Sequence, residues 1–169
     1  MLLIKYVINE KNIDFNIKDK DYSLMYHICK KCSHDVILCA FEKNVTYEFD
    51  DGGLALSLLF DNELLSNENK MLLIKNIIEK TKFDVNKKDN SKTSLLQYIC
   101  IRCTYDVILC ALEKNGNIYN LNEENDSVIH VLNENKESME NKMLLIEYLI
   151  DKKNMDLTYK NKEKISHNN

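Results

Sequence analysis

Cys32-Ser33-His34-Asp35-Val36-Ile37-Leu38-Cys39-Ala40-Phe41-Glu42-Lys43-Asn44 returns 71 residues later as Cys103-Thr104-Tyr105-Asp106-Val107-Ile108-Leu109-Cys110-Ala111-Leu112-Glu113-Lys114-Asn115. A second phrase, Met1-Leu2-Leu3-Ile4-Lys5, returns as Met71-Leu72-Leu73-Ile74-Lys75 and again as Met143-Leu144-Leu145-Ile146-Glu147. The chain therefore reads as a tandem array with a unit of 70 to 72 residues. Units that contact only their neighbours build a quasi-one-dimensional solenoid, and such arrays work by presenting a surface.

A unit of this length is about twice a helix-turn-helix repeat, so each unit is expected to hold two helix pairs. Leu24, Met25, Ile28 and Cys29 fall at helical spacing, as do Val36, Ile37, Ala40 and Phe41 after a short break. The same reading gives pairs near 23–31 with 34–43, 54–60 with 68–80, 94–102 with 105–114, and 128–134 with 140–152. Ser33 and Thr104 are the expected N-caps of the second helices of the odd-numbered pairs. Residues 1–10 read as a second helix whose first helix is missing, and residues 156–166 as a connector into a further pair. Proline is absent and only three glycines occur, so Asn is expected to take the left-handed turn positions.

The bulk composition narrows the function classes. Hydrophobic residues are 44% and charged residues 30%, ordinary for a chain with a core. A net charge of −4 and mixed Lys, Asp and Glu leave no basic patch for nucleic acid. No apolar run approaches the roughly 20 residues that span a bilayer, and MLLIKYVINE lacks a leader's cleavage site. Six cysteines without a leader point to a reducing compartment, so a cytoplasmic chain with thiols unpaired is expected.

The pattern resembles the ankyrin repeat. The best register is at Leu112-Glu113-Lys114-Asn115-Gly116-Asn117-Ile118, followed by Glu123-Glu124-Asn125-Asp126-Ser127-Val128-Ile129-His130. These sit where the family has Leu-Leu-x-x-Gly-Ala-Asp-Val and Asp-x-x-Gly-x-Thr-Pro-Leu-His. The departures are consistent: no proline starts a first helix, only His130 keeps the family histidine, and Cys32 and Cys103 replace the glycine between helices. The resemblance implies an all-α, ankyrin-like helix-turn-helix solenoid over residues 1–169, with short hairpin or loop fingers. Repeats would cover 16–44, 45–83, 84–115 and 116–155, with partial repeats at 1–15 and 156–169. It also implies that His130 tethers neighbouring turns.

Two sets of residues could carry function. Cys29-x-x-Cys32 with Cys39, and Cys100-x-x-Cys103 with Cys110, have the spacing of half a zinc site, and His27 or His34 could add a ligand to the first copy. In the second copy Tyr98 and Tyr105 replace those histidines, and free Cys packs as a small hydrophobe, so a core role is the stronger reading. No phosphate loop, triad or converging carboxylate pair is present, so no enzymatic activity, metal or cofactor is expected. The resemblance instead implies a non-catalytic scaffold, expected to be monomeric, that binds an unidentified protein through finger tips and first helices. The residues so implicated are Asp19, Asp21, Tyr22, Tyr26, Asp50, Asp51, Asp89, Lys92, Gln97, Arg102, Glu123 and Glu124. The acidic tips suggest a partner with some basic character, and Tyr22 and Tyr26 are the best anchors because Tyr and Arg dominate interface hot spots. The alternative is a zinc- or thiol-dependent module using the duplicated Cys-x-x-Cys pairs.

Overall fold

The structure, a computed structural model, describes residues 2–10, 13–15, 17–19, 22–43, 58–80, 84–89, 91–114 and 116–158. Among them the chain is all-α, with no sheet. The helices are α1 (Leu2–Glu10), α2 (Leu24–Lys31), α3 (His34–Lys43), α4 (Asn67–Lys80), α5 (Leu95–Arg102), α6 (Tyr105–Glu113), α7 (Val128–Leu132) and α8 (Met139–Lys153), with a further helical turn at 58–60. The apolar spacing thus located each helix to within a few residues. Of the first helix expected at 54–60, only 58–60 lies among the described residues.

The helices expected second in each pair lie side by side: α1 packs on α3, α3 on α4, α4 on α6, and α6 on α8. Those expected first lie against them, α2 on α3 and α5 on α6, and α5 also meets α7. Helices α3, α4 and α6 therefore have neighbours on two sides, and this sets their composition. Ile37, Ala40 and Phe41 on α3, then Leu73, Ile74, Ile77 and Ile78 on α4, then Val107, Ile108, Ala111 and Leu112 on α6 are all buried. By contrast, α8 buries only Leu145 and Leu149 along its length, while Met143, Leu144 and Ile150 are exposed. No described helix covers the side of α8 on which Leu144 and Ile150 lie.

Capping also differs from expectation. Ser23 and Ser94 cap α2 and α5, each accepting at 3.2 Å from the N–H of Tyr26 or Gln97. Ser66 and Ser138 do the same for α4 and α8, accepting at 3.2 Å from Asn69 and Asn141. Ser33 Oγ, however, is buried without a hydrogen-bond partner, and Thr104 Oγ1 donates to Asp106 Oδ1 at 2.6 Å rather than accepting from the backbone. The side-chain caps expected at Ser33 and Thr104 are therefore not made.

Cys32 and Cys103 close α2 and α5 in extended conformations, with φ of −106° and −98°. Neither demands the left-handed backbone that would require glycine, so a cysteine serves. Left-handed residues do occur at Asn120, Asn125, Asn154 and Lys92, and Asn fills three of these four positions as expected. No helix among the described residues is long and apolar enough to cross a membrane.

Candidate functional site

The turn before α2 and the first turns of that helix form one cluster. Asp19 Oδ1 accepts from the Tyr22 N–H at 3.0 Å, and the Asp19 N–H donates to the Tyr22 carbonyl at 3.0 Å. An isolated antiparallel bridge between Lys18 and Ser23 closes the base of this finger. Asp19 Oδ2 lies 2.9 Å from His27 Nε2, one turn into α2. With the turn fixed in this way, Tyr22 stacks on Tyr26, ring centroids 4.0 Å apart and planes 22° from parallel. The His27 ring meets Tyr26 edge-on at 5.4 Å, and Lys30 Nζ lies 5.6 Å from the Tyr26 ring centroid. Tyr22 is 44% exposed while Tyr26 is half-buried against the core, so the stack presents the outer ring on a core-anchored inner one. Stacked rings and a cation over a ring face are each worth about 0.5–1.5 kcal/mol, enough to hold the pair in one arrangement.

The next finger of this kind is built alike. Asp89 Oδ1 accepts from Ser91 and Thr93 at 2.9 and 3.0 Å, and Asp89 Oδ2 accepts from Tyr98 Oη at 2.9 Å. Lys88 bridges to Ser94 as Lys18 does to Ser23. Tyr98 thus does for Asp89 what His27 does for Asp19, which assigns His27 a tethering role. The third described finger uses an amide: Asn122 Oδ1 accepts from Glu124 and Asp126, each at 3.0 Å. Fingers are also joined, since the Ser94 N–H donates to the Leu121 carbonyl at 2.7 Å and Lys92 Nζ lies 2.7 Å from Glu123 Oε1. The Glu123 hydrogen bond and charge raise the lysine's pKa.

The anticipated surface residues therefore separate. Asp19 and Asp89 spend their carboxylates on building fingers, and Lys92 and Glu123 pair with each other. Glu124 is exposed at its tip. Gln97 is half-buried, with Oε1 buried and lacking a hydrogen-bond partner. Arg102 stands apart from the fingers, at the last turn of α5, where it lies 5.5 Å over Phe60 and 3.8 Å from Asp61. There it lines a cleft of about 570 Å3 with Lys70, Met71, Thr104 and Glu137. Asp21, Asp50 and Asp51 lie outside the described residues. What the structure brings together is Tyr22, Tyr26, His27, Lys30 and Asp19.

All six cysteines are unpaired thiols. Burial pushes the Cys29, Cys100 and Cys103 thiols well above their ordinary range, and it raises Cys32 and Cys110 as well. A raised thiol resists forming the thiolate that metal ligation and nucleophilic attack require. Cys39 Sγ faces Asn9 of α1 at 3.2 Å and Cys110 Sγ faces Glu79 of α4 at 4.0 Å. Among the described residues no three His, Cys, Asp or Glu side chains gather into a group that would hold a metal ion. His130 Nδ1 lies 2.7 Å from Ser127 Oγ and accepts from the Ser127 N–H at 3.1 Å, closing the first turn of α7.

The sequence reading missed two asparagines. Asn62 Nδ2 donates to the carbonyls of Cys29 and Cys32 at 2.7 and 2.9 Å, and Asn135 Nδ2 donates to those of Cys100 and Cys103 at 2.6 and 3.0 Å. Both residues are buried. The carbonyls of the two Cys-x-x-Cys turns are thus held by later loops of the chain, one before α4 and one between α7 and α8. No protein-family model, curated protein or solved structure matches the chain.

Proposed function

We propose that this chain is a divergent ankyrin-like array that acts as a non-catalytic protein-interaction scaffold. The observation that carries this reading is the Tyr22–Tyr26 stack, its outer ring Tyr22 exposed, fixed between the Asp19–His27 tether and Lys30. Rigid aromatic area that is already ordered binds at little entropic cost, and Tyr is enriched among interface hot spots. The array reading draws support from the serial packing of second helices, from fingers with bridged bases, and from serine caps that recur from unit to unit. Because Asp19 and Asp89 are engaged within the fingers, the partner's contact is centred on the tyrosines. Basic character in the partner is a secondary preference, met by acidic tips such as Glu124.

Selection from a displayed peptide library tests this reading. The wild-type chain is expected to enrich ligands that a Tyr22→Ser/Tyr26→Ser variant, still folded at the temperature of the selection, does not. Equal enrichment by both proteins would remove the aromatic finger as the binding surface.

A further inference from the structure

We infer that α8 carries a second docking surface, a stripe of Met143, Glu147, Ile150 and Asp151, fitted to a partner helix that bears a basic residue opposite Glu147. The observation behind this is a comparison within the molecule, and it does not depend on the tyrosine surface. Met71, Lys75, Ile78 and Glu79 of α4 occupy the matching places one unit earlier, in the phrase that begins Met-Leu-Leu-Ile in both helices. There α6 lies against the stripe, burying Ile78 and partly covering Met71 and Lys75, while Glu79 stays exposed at its edge. Lys75 Nζ lies 3.1 Å from Asp106 Oδ2, Glu79 faces Cys110, Lys114 donates to the Glu79 carbonyl at 3.1 Å, and Ile78 is fully buried. On α8 the same positions are open: Met143 is 55% exposed, Ile150 is 37% exposed, and Glu147 and Asp151 are exposed. Residues at these spacings share one helix face, so the stripe is continuous.

The two stripes differ in charge. On α4, Lys75 and Glu79 balance, and Lys75 receives Asp106 of the covering helix. On α8, Glu147 stands where Lys75 stands, beside an acidic Asp151 in the place of acidic Glu79. The covering helix this chain makes for α4 carries Asp106 at the contact point, with Asp35 at the matching sequence position of α3, and such a carboxylate would face Glu147. Like charges juxtaposed at an interface are unfavourable and exclude the wrong partner. The face therefore retains the apolar seam of an internal joint and disfavours the chain's own covering helices relative to one with a basic residue at that place. Its occupant is a helix with apolar residues for Met143 and Ile150 and a Lys or Arg in the place of Asp106.

The test keeps the full chain and joins a second copy of residues 84–115 to its C-terminus, where the tether supplies a high effective concentration. Two versions are compared, one with Asp106 of the added copy intact and one with Asp106→Lys in that copy. The lysine version is expected to melt about 2–4 °C higher, a shift of the size one charge contact gives in a chain of this length. Glu147→Lys in α8 should reverse the order of the two versions, and the gap should shrink in high salt. Equal melting of both versions, or a gap that survives Glu147→Lys, would overturn the inference. So would dimerisation of the unfused chain that is lost on Ile150→Asp, because the occupant would then be a second copy.

Discussion

Asn135 donates its side-chain amide to the main-chain carbonyl of Cys100 at 2.6 Å, from the loop between α7 and α8. The same amide reaches the Cys103 carbonyl at 3.0 Å, and its Oδ1 accepts from the Glu137 N–H. One side chain thus satisfies the carbonyls at the end of α5 and orders the loop that precedes α8. Asn135→Ala would leave these buried groups unpaired, each at a cost of about 1–3 kcal/mol before relaxation. A net loss of about 2–3 kcal/mol is expected in chemical denaturation, and Asn135→Asp should not restore it, because a carboxylate cannot donate to two carbonyls.

Gly116 is required by space. A Cβ there would lie 3.0 Å from the Ala111 carbonyl oxygen and 3.0 Å from Leu96 Cδ2. The oxygen belongs to the last turn of α6 and cannot swing aside, so Gly116→Ala is expected to destabilise by about 1–3 kcal/mol, as overpacking does. Gly116→Ala combined with Leu96→Val should melt closer to wild type than the sum of the two single changes predicts, since the pair shares one space.

The Asp106 carboxyl is held below its ordinary pKa, first by the Thr104 hydroxyl and then by Lys75. A carboxylate whose pKa is lower folded than unfolded contributes stability that is present above the unfolded value, about 3.9, and is lost as pH falls through the folded value. Wild type should therefore lose stability more steeply than Asp106→Asn as pH is lowered from about 5 to 3. Parallel pH profiles for the two proteins would remove Asp106 from the α4–α6 joint.

Thiol reactivity should follow burial. Cys32 and Cys110 are partly exposed, whereas Cys29, Cys100 and Cys103 are buried with strongly raised pKa values. Alkylation of the native chain at neutral pH is expected to label Cys32 and Cys110 first and to reach Cys29, Cys100 and Cys103 only on unfolding. Metal analysis on the same preparation is expected to find no stoichiometric zinc. Stoichiometric zinc, with protection of Cys32 that a chelator removes, would make the duplicated cysteines a functional site.

The helices were legible because their apolar spacing is strong and is repeated, so that Val36-Ile37 and Val107-Ile108 support each other. The asparagine clasps were not. Asn62 stands four residues before the Ser66 cap, while Asn135 stands three before Ser138, so a constant period slides past the match. The missing residue is in the loop, where Leu65 is buried before Ser66 and has no apolar counterpart before Ser138. The surface residues were only partly legible for a related reason. An acidic finger tip looks the same in sequence whether its carboxylate faces solvent or, like Asp19 and Asp89, ties the finger to the following helix. Only the stacking of Tyr22 on Tyr26, four residues apart across a helix start, follows from local geometry once Ser23 is fixed as the N-cap.

The most direct measurement is the affinity of one selected peptide, by titration calorimetry, for wild type and for Tyr26→Ala. Loss of a hot-spot tyrosine costs about 2 kcal/mol or more, so binding should weaken by roughly 30-fold at a temperature where the variant, lowered by a few degrees in melting temperature through loss of the stack, is still folded. Undiminished affinity would contradict the account, because the stacked tyrosines would then be an ordered surface that no partner uses.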